Sequence, residues 1–321
     1  MITLSKIAKL SNVSVSTASK AFAGSPEVNE ETRELIFSVA KEHNCFKKFY
    51  NVKYPKLVFA LIAPEFKSAL YTQYLSSIQR MIEKENCELC VSITDFSYEK
   101  EKSLIEYYYK HSDVDGIILI NAQTDIPEKY EIPVIFVDPQ SKPIHAASVV
   151  CDHKYAIKKS IKYLSEKNVN TIGFIGEALT FGKFKIFKQC MKENNIEIDE
   201  AYLEITDMRF EAGGYSAMEA MFTKGQLPRA VICAYDHMAI GAVRCIYDHG
   251  LTVPNDIAVL GMDDIPEAEY LNPPLASVSN NIEKLCRVVT DTMMKQIKGE
   301  NTEQYNKITS ELKLRRSFEI S

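Results

Sequence analysis

From Leu57 onward, short strand-like runs alternate with helix-like stretches, and this alternation constrains the fold more than any other feature. The strand-like runs include LVFALIA (57–63), ELCVSI (88–93), GIILI (116–120), VIFV (134–137), TIGFI (171–175), AVICA (230–234) and IAVLGM (257–262). Helical stretches fall between them, among them 71–86, 153–167, 183–195, 236–249 and 282–298. Strands joined through helices run parallel, and the helices cover both faces of the sheet they form. There are too many strands for one sheet in this length, so the expected body is α/β, with two lobes of doubly wound parallel sheet. Such sheets bind ligands beyond the carboxyl ends of their strands. Two facing lobes place those ends around one cleft.

Ahead of this body, residues 3–44 carry a helical period instead. Leu4, Ile7 and Ala8 give one apolar face, Ala18, Ala21 and Phe22 a second, and Leu35, Ile36, Val39 and Ala40 a third. Asn12 tolerates the positive φ of a tight turn, Ser14 suits the cap of the second helix, and Asn29 that of the third. Burying the face of the second helix leaves Ser16, Ser19, Lys20 and Ala23 in one exposed stripe, with Val15 at the helix start. Lys20 can donate to guanine acceptors, Ser16 can pair with several bases, and Val15 can touch a thymine methyl. Ser14, Thr17 and the helix start suit phosphates. The pattern alone equally fits a three-helix interaction module with a solvated polar face.

Charge distribution favours a polyanion at this end. Residues 1–56 hold nine Lys/Arg against five Asp/Glu, a balance of +4, and the remainder holds 29 against 38, a balance of −9. Residues 46–56, FKKFYNVKYPK, read as a short basic and aromatic linker. There Lys47, Lys48, Lys53 and Lys56 are available for phosphates, and Pro55 forbids a helix through the end. No apolar run is long enough for a membrane span and no signal peptide is evident, so a cytoplasmic protein with eight reduced cysteines is expected. Cys87 and Cys90 form one C-x-x-C, but no second Cys/His pair lies near it, and no metal site or cofactor is assigned.

The segment TLSKIAKLSNVSVSTASKAF resembles the start of the LacI/GalR family of bacterial repressors, through Thr3, Ile7, Ala8, Val13, Ser14, Thr17, Ser19 and Phe22. VNEETRELIFSVAKEHN is similar to the family's third helix. The resemblance implies a helix-turn-helix headpiece in which Val15, Ser16 and Lys20 read bases. Thr3, Ser14, Thr17, Ser19, Asn29 and Thr32 complete its expected DNA-binding set. Lys20 stands where the family has arginine, which turns a bidentate contact into a point charge. The family's hinge signature with its wedge leucine has no counterpart here, so little kinking of DNA is expected.

The resemblance continues through ICAYDHMAIGAVRCIYDHGLTVPNDIAVLGMDDIPEAEYLNPPLASV (232–278) and implies a body like that of periplasmic sugar-binding proteins. Carried over residue by residue, it implies a ligand set of Leu70, Tyr71, Asp138, Lys183, Tyr235, Asp263 and Asn280. Asp138 and Asp263 end strands, where carboxylates accept hydrogen bonds from sugar hydroxyls or simply cap helices. Asp236 suits a structural role. Lys183 stands for the family's arginine and Tyr235 for its asparagine.

Catalytic motifs are incomplete. Gly176 and Gly182-Lys183 bracket five residues instead of the four of a phosphate-binding loop, and Phe184 stands where magnesium needs a hydroxyl. No dinucleotide fingerprint follows the first strand, so the chain is not expected to be an enzyme.

The expected organisation is a headpiece at 1–45, a linker at 46–56 and a ligand-binding and dimerisation body at 57–321. Its first lobe takes about 57–150 and 281–305, its second about 151–280 and 306–321. The expected partners are a pseudo-palindromic double-stranded operator, a small effector of the sugar class and a second copy in a homodimer. The alternative is a solute-binding protein without a DNA function, which would need an export signal.

Overall fold

A computed structural model describes residues 2–52 and 54–320. It divides into two compact units, one up to Leu57 and one from Val58. Lys53, one of the four linker lysines, lies outside the described residues.

The first unit contains α1 (Leu4–Leu10), α2 (Val15–Phe22), α3 (Glu30–Glu42) and a single further turn, α4 (Phe46–Phe49). Each of the first three helices starts on a side chain that takes an orphan amide of the first turn. Thr3 accepts from Lys6 N, Ser14 from Thr17 N at 3.0 Å, and Asn29 from Thr32 N at 2.8 Å. Asn12 turns the chain between α1 and α2 with φ of 54°. Ile7, Ala8, Ala18, Ala21, Phe22, Ile36 and Ala40 form the core.

Two expectations need correction here. Leu35 is about half exposed and lies off the apolar face of α3; Phe37 packs against the core in its place. The linker does not begin at residue 46. Phe46 and Phe49 in α4 and Tyr50 just after it join an aromatic cluster with Phe22 and Phe37, with ring centroids 4.9–6.1 Å apart. Asn51 N then donates to Phe22 O at 3.2 Å, and Val52 closes over Gly24. The apolar rings that made the segment look like a linker between modules are the rim of the headpiece core.

The second unit holds two six-stranded sheets. The first contains β1 (Val58–Ala63), β2 (Glu88–Ile93), β3 (Gly116–Ile120), β4 (Val134–Val137) and β5 (Ala147–Asp152), with α5 (Ala69–Lys84) and α6 (Tyr98–His111) between them. The second contains β6 (Ile172–Glu177), β7 (Leu203–Thr206), β8 (Ala230–Cys233), β9 (Ala258–Met262) and β10 (Ala276–Ser279). Its helices are α7 (His153–Glu166), α8 (Phe181–Glu193), α9 (Phe210–Lys224) and α10 (Asp236–Asp248). The chain then returns to the first lobe for α11 (Ile282–Ile297) and β11 (Tyr305–Thr309), and ends in the second with β12 (Glu311–Lys313).

The strand orders are β11-β5-β4-β3-β1-β2 and β12-β10-β9-β8-β6-β7. Every pairing is parallel except β10 with β12, an antiparallel edge. Strands β1, β3 and β4 are buried along nearly their whole length, as a sheet covered on both faces requires. The lobe limits shift slightly from expectation: β5 runs to Asp152 and β11 to Thr309, so the crossovers fall after those residues and not at 150 and 305. No helix among the described residues is long and apolar enough to cross a membrane.

Candidate functional site

The parallel topology decides where the polar groups gather. In the first lobe, β1 is followed by Glu65, β2 by Phe96, β3 by Asn121 and β4 by Asp138. In the second, β6 ends on Glu177, β7 leads to Arg209, β8 to Tyr235, β9 to Asp263 and β10 to Asn280. All nine lie at the carboxyl ends of strands, where each lobe leaves its sheet uncovered.

These ends face each other, and one side chain joins them. Arg209, from the second lobe, donates to both oxygens of Glu65 in the first, at 2.7 and 3.0 Å, and through Nε to Glu177 Oε1 at 3.2 Å. Its guanidinium lies over the rings of Phe96, 5.4 Å away, and Phe210, 4.6 Å away. The Glu65 hydrogen bonds, foremost, raise its already high pKa further. The fork geometry and the aromatic faces are what arginine offers and lysine does not.

On the second lobe's wall, Lys183 reaches from α8 to donate to Ala234 O at 2.8 Å and to Asp263 Oδ1 at 3.0 Å. Asn280 donates to the same oxygen at 3.1 Å. Asp263 Oδ2 takes no hydrogen bond among the described residues, so one acceptor of a buried carboxylate is left for another donor. Tyr235 accepts at its hydroxyl from Phe210 N at 2.9 Å and donates to Glu177 Oε1 at 3.0 Å. Burial raises its pKa, and the hydroxyl stays neutral.

On the first lobe's wall, Tyr71 is buried at the start of α5, and its hydroxyl accepts from Asn121 Nδ2 at 3.0 Å. Leu70 sits beside it, half-buried. Asp138 is committed internally: Oδ2 accepts from Tyr74 at 2.7 Å and Oδ1 from Cys151 N at 2.6 Å. His153, where the chain enters the second lobe, keeps a neutral ring, because burial and the nearby Lys183 lower its pKa. Its buried Nδ1 has no hydrogen-bond partner among the described residues.

Thus Tyr71 in the first lobe and Tyr235, Asp263 and Asn280 in the second gather near strand carboxyl ends, with Lys183 reaching Asp263 from α8 and Asp138 set back in the first lobe's framework. Glu65, Asn121, Glu177, Arg209 and His153 join them although sequence reasoning did not single them out. Asp236 has the structural role expected: it is fully buried, accepts from Ser277 Oγ at 2.6 Å and Ile265 N at 2.8 Å, and burial pushes its carboxyl up to about 8.

In the first unit, Val15, Ser16, Ser19 and Lys20 are exposed on α2, and Ala23 is exposed at its C-cap. Lys20 pairs with the exposed Glu27. Thr3, Ser14 and Asn29 hold helix N-termini, and Thr17 bonds the Ser14 hydroxyl at 2.8 Å. Thr32 supplies the amide that Asn29 caps. The residues expected to meet DNA therefore divide into an open stripe of side chains and the starts of three helices.

Comparison with known proteins agrees with both halves. Residues 3–46 match the bacterial regulatory proteins of the lacI family, and residues 161–318 match the periplasmic binding protein-like domain. The ribose operon repressor of Haemophilus influenzae is 24% identical over 97% of this chain and 96% of its own. A lac repressor dimer bound to operator and the anti-inducer ONPF superimposes with a TM-score of 0.73 at 19% identity, over 98% of each chain. A complex of the transcriptional regulator CelR with cellobiose does so with a TM-score of 0.68 at 22% identity, over 99% of this chain and all of that one. The chain thus carries a lacI-type regulatory domain ahead of a periplasmic-binding-protein-like domain, and the relatives it matches along nearly its whole length are named as repressors.

Proposed function

We propose that this protein is a cytoplasmic transcription repressor, acting as a homodimer on a pseudo-palindromic operator, whose DNA affinity is set by a small sugar held between the lobes. The observation that carries the reading is the presence, in one chain, of an exposed reading stripe on a Ser14-capped α2 and a cleft walled by strand carboxyl ends. Val15, Ser16 and Lys20 read base edges, while Thr3, Ser14, Thr17, Ser19, Asn29 and Thr32 engage phosphates and fix the register.

In the cleft, Asp263 Oδ2 accepts from a sugar hydroxyl, while Lys183 and Asn280 hold the carboxylate in place. His153 Nδ1 provides a further polar contact, and Leu70 and Tyr71 give an apolar wall for the ring's C–H face. The names of the similar proteins, one tied to a ribose operon and one bound to cellobiose, support the sugar class. The ligand acts through its differential affinity for two lobe arrangements, and DNA alters ligand affinity by the reciprocal factor. Catalytic turnover has no part in this reading, because the cleft carboxylates are paired with Lys183 and Arg209 or buried on hydrogen-bond donors.

The test is selection of DNA from a random duplex library by the full chain, followed by a thermal-shift screen against sugars. A palindrome with half-sites about 10 base pairs apart, and a sugar whose stabilising shift disappears in Asp263→Ala, are the expected results. Salt-sensitive binding with no enriched sequence would overturn the regulator reading and leave a solute-binding protein.

A further inference from the structure

Helices α9 and α10 pack with their backbones in contact, through glycines. A Cβ on Gly214 would lie 1.9 Å from Met238 O, and one on Gly241 2.0 Å from Glu211 O, so neither position admits a side chain. This close approach carries Glu219 of α9 onto the far end of α10. There Cys245 and His249, four residues apart, share one face.

Glu219 Oε2 lies 3.4 Å from Cys245 Sγ and 3.5 Å from His249 Nε2, and Sγ lies 3.8 Å from His249 Nδ1. One ligand atom from each of the three residues falls within 4.8 Å of the others. The imidazole is fixed by its surroundings. It stacks on Phe222 with centroids 3.8 Å apart, and Nδ1 lies 3.0 Å from Cys245 O. Nδ1–H donating to that carbonyl leaves the lone pair on Nε2, facing the carboxylate. A backbone carbonyl holding the second nitrogen is how metal-bound histidines are usually oriented.

We propose that Glu219, Cys245 and His249 form a transition-metal site of the zinc class. With zinc–sulfur at about 2.3 Å and zinc–nitrogen or –oxygen at about 2.0–2.1 Å, tetrahedral ligands stand about 3.4–3.6 Å apart. The two separations from Glu219 Oε2 match this. A thiolate, an imidazole and a carboxylate together suit zinc and disfavour magnesium or calcium. Cys245 is fully buried and forms the floor, while Glu219 and His249 are partly exposed and leave an entry path, with water completing the fourth position. Binding transfers the thiol proton to solvent and forms a metal–sulfur bond without redox change. The ion ties α9 to α10, the helices whose opposite ends present Phe210 and Tyr235 to the cleft. The C-x-x-C at Cys87 and Cys90 is a separate feature, so the sequence could not reveal this site: its acidic ligand comes from another helix.

The test is cobalt titration of the full chain after chelator treatment. A thiolate-to-cobalt charge-transfer band is expected, saturating at one equivalent and bleached by zinc. Cys245→Ser should abolish it, and His249→Ala, at a partly exposed position that keeps the fold, should weaken affinity by about tenfold or more. Cys90→Ser should leave it unchanged. Absence of the band, its survival in Cys245→Ser, unchanged affinity in His249→Ala, or its loss in Cys90→Ser would each overturn the assignment.

Discussion

Arg209→Ala removes a side chain that pairs across the two lobes, and its cost can be worked from the geometry. The lost pair comprises two parallel charge-assisted hydrogen bonds of 2.7 and 3.0 Å. Hydrogen bonds to charged groups are worth about 1.5–3 kcal/mol each, while an exposed ion pair is worth about 0.2–1 kcal/mol in total. The Glu65 side chain is 10% exposed and that of Arg209 29%, so the pair belongs between these limits. We expect a coupling of about 1.5–2.5 kcal/mol. The single substitution should cost about 2–4 kcal/mol, because it also leaves Glu65 and Glu177 facing each other without a cation and strips the rings of Phe96 and Phe210 of their charge partner. The assay is a double-mutant cycle in urea with Arg209→Ala, Glu65→Ala and both together. Arg209→Lys, which keeps the charge without the fork, should recover less than half of the coupling. A coupling below about 0.5 kcal/mol would show a solvated pair and refute this reasoning.

Three further outcomes are expected. Lys20→Ala should lower sequence preference on the selected operator by about 1–3 kcal/mol while leaving sugar binding unchanged, measured by competition between cognate and substituted duplexes. Phe46→Ala should destabilise the first unit by about 2 kcal/mol, because its ring touches Phe22, Phe37 and Tyr50, and calorimetry should show the headpiece melting earlier with the body's transition unmoved. Asp236 holds a proton in the folded state that the unfolded chain releases, since burial lifts its carboxyl from 3.8 to about 8. Its contribution is thus full below about pH 4 and is lost as pH rises to about 8, and Asp236→Asn should flatten the dependence of the urea midpoint across that window.

Long buried strands with helical crossovers were legible because their period and length are set by covering both sheet faces. The capped headpiece helices were legible because Ser14 and Asn29 mark their own positions. Leu35 misled because one turn of α3 offers more apolar residues than its buried face takes, and tertiary packing chose Phe37. The start of the linker misled because a basic, aromatic segment looks alike whether its rings face a core or a partner. Arg209 escaped notice because β7 is only four residues, LEIT, with no apolar run to announce that a strand end is near. Glu65 and Glu177, by contrast, stand at the ends of strands the sequence does reveal, and the strand-end rule applied evenly would have selected both. Asp138 is the reverse case: it occupies a ligand position by resemblance, yet Tyr74 and the Cys151 amide claim both of its oxygens.

That commitment gives Asp138 a place in a longer connection. Tyr74 and the Cys151 amide donate to Asp138, Cys151 Sγ faces Asn280 Oδ1 at 3.6 Å, and Asn280 shares Asp263 Oδ1 with Lys183. This path runs from α5 of the first lobe through two crossovers to the second lobe's wall. The crossovers are also tied to one another. Ser310 Oγ donates to Asp152 O at 2.5 Å, and Asn281, in a left-handed conformation with φ of 50°, donates through its side chain to Thr309 O at 2.7 Å. Three crossovers joined by such bonds are coupled, so a change of lobe angle is expected to turn them together. Cooperative turning of this kind is what a two-state hinge requires. If the proposed ligand draws on Asp263, it acts on a carboxylate already connected to these crossovers, while Arg209 and Glu65 pair across the two lobes.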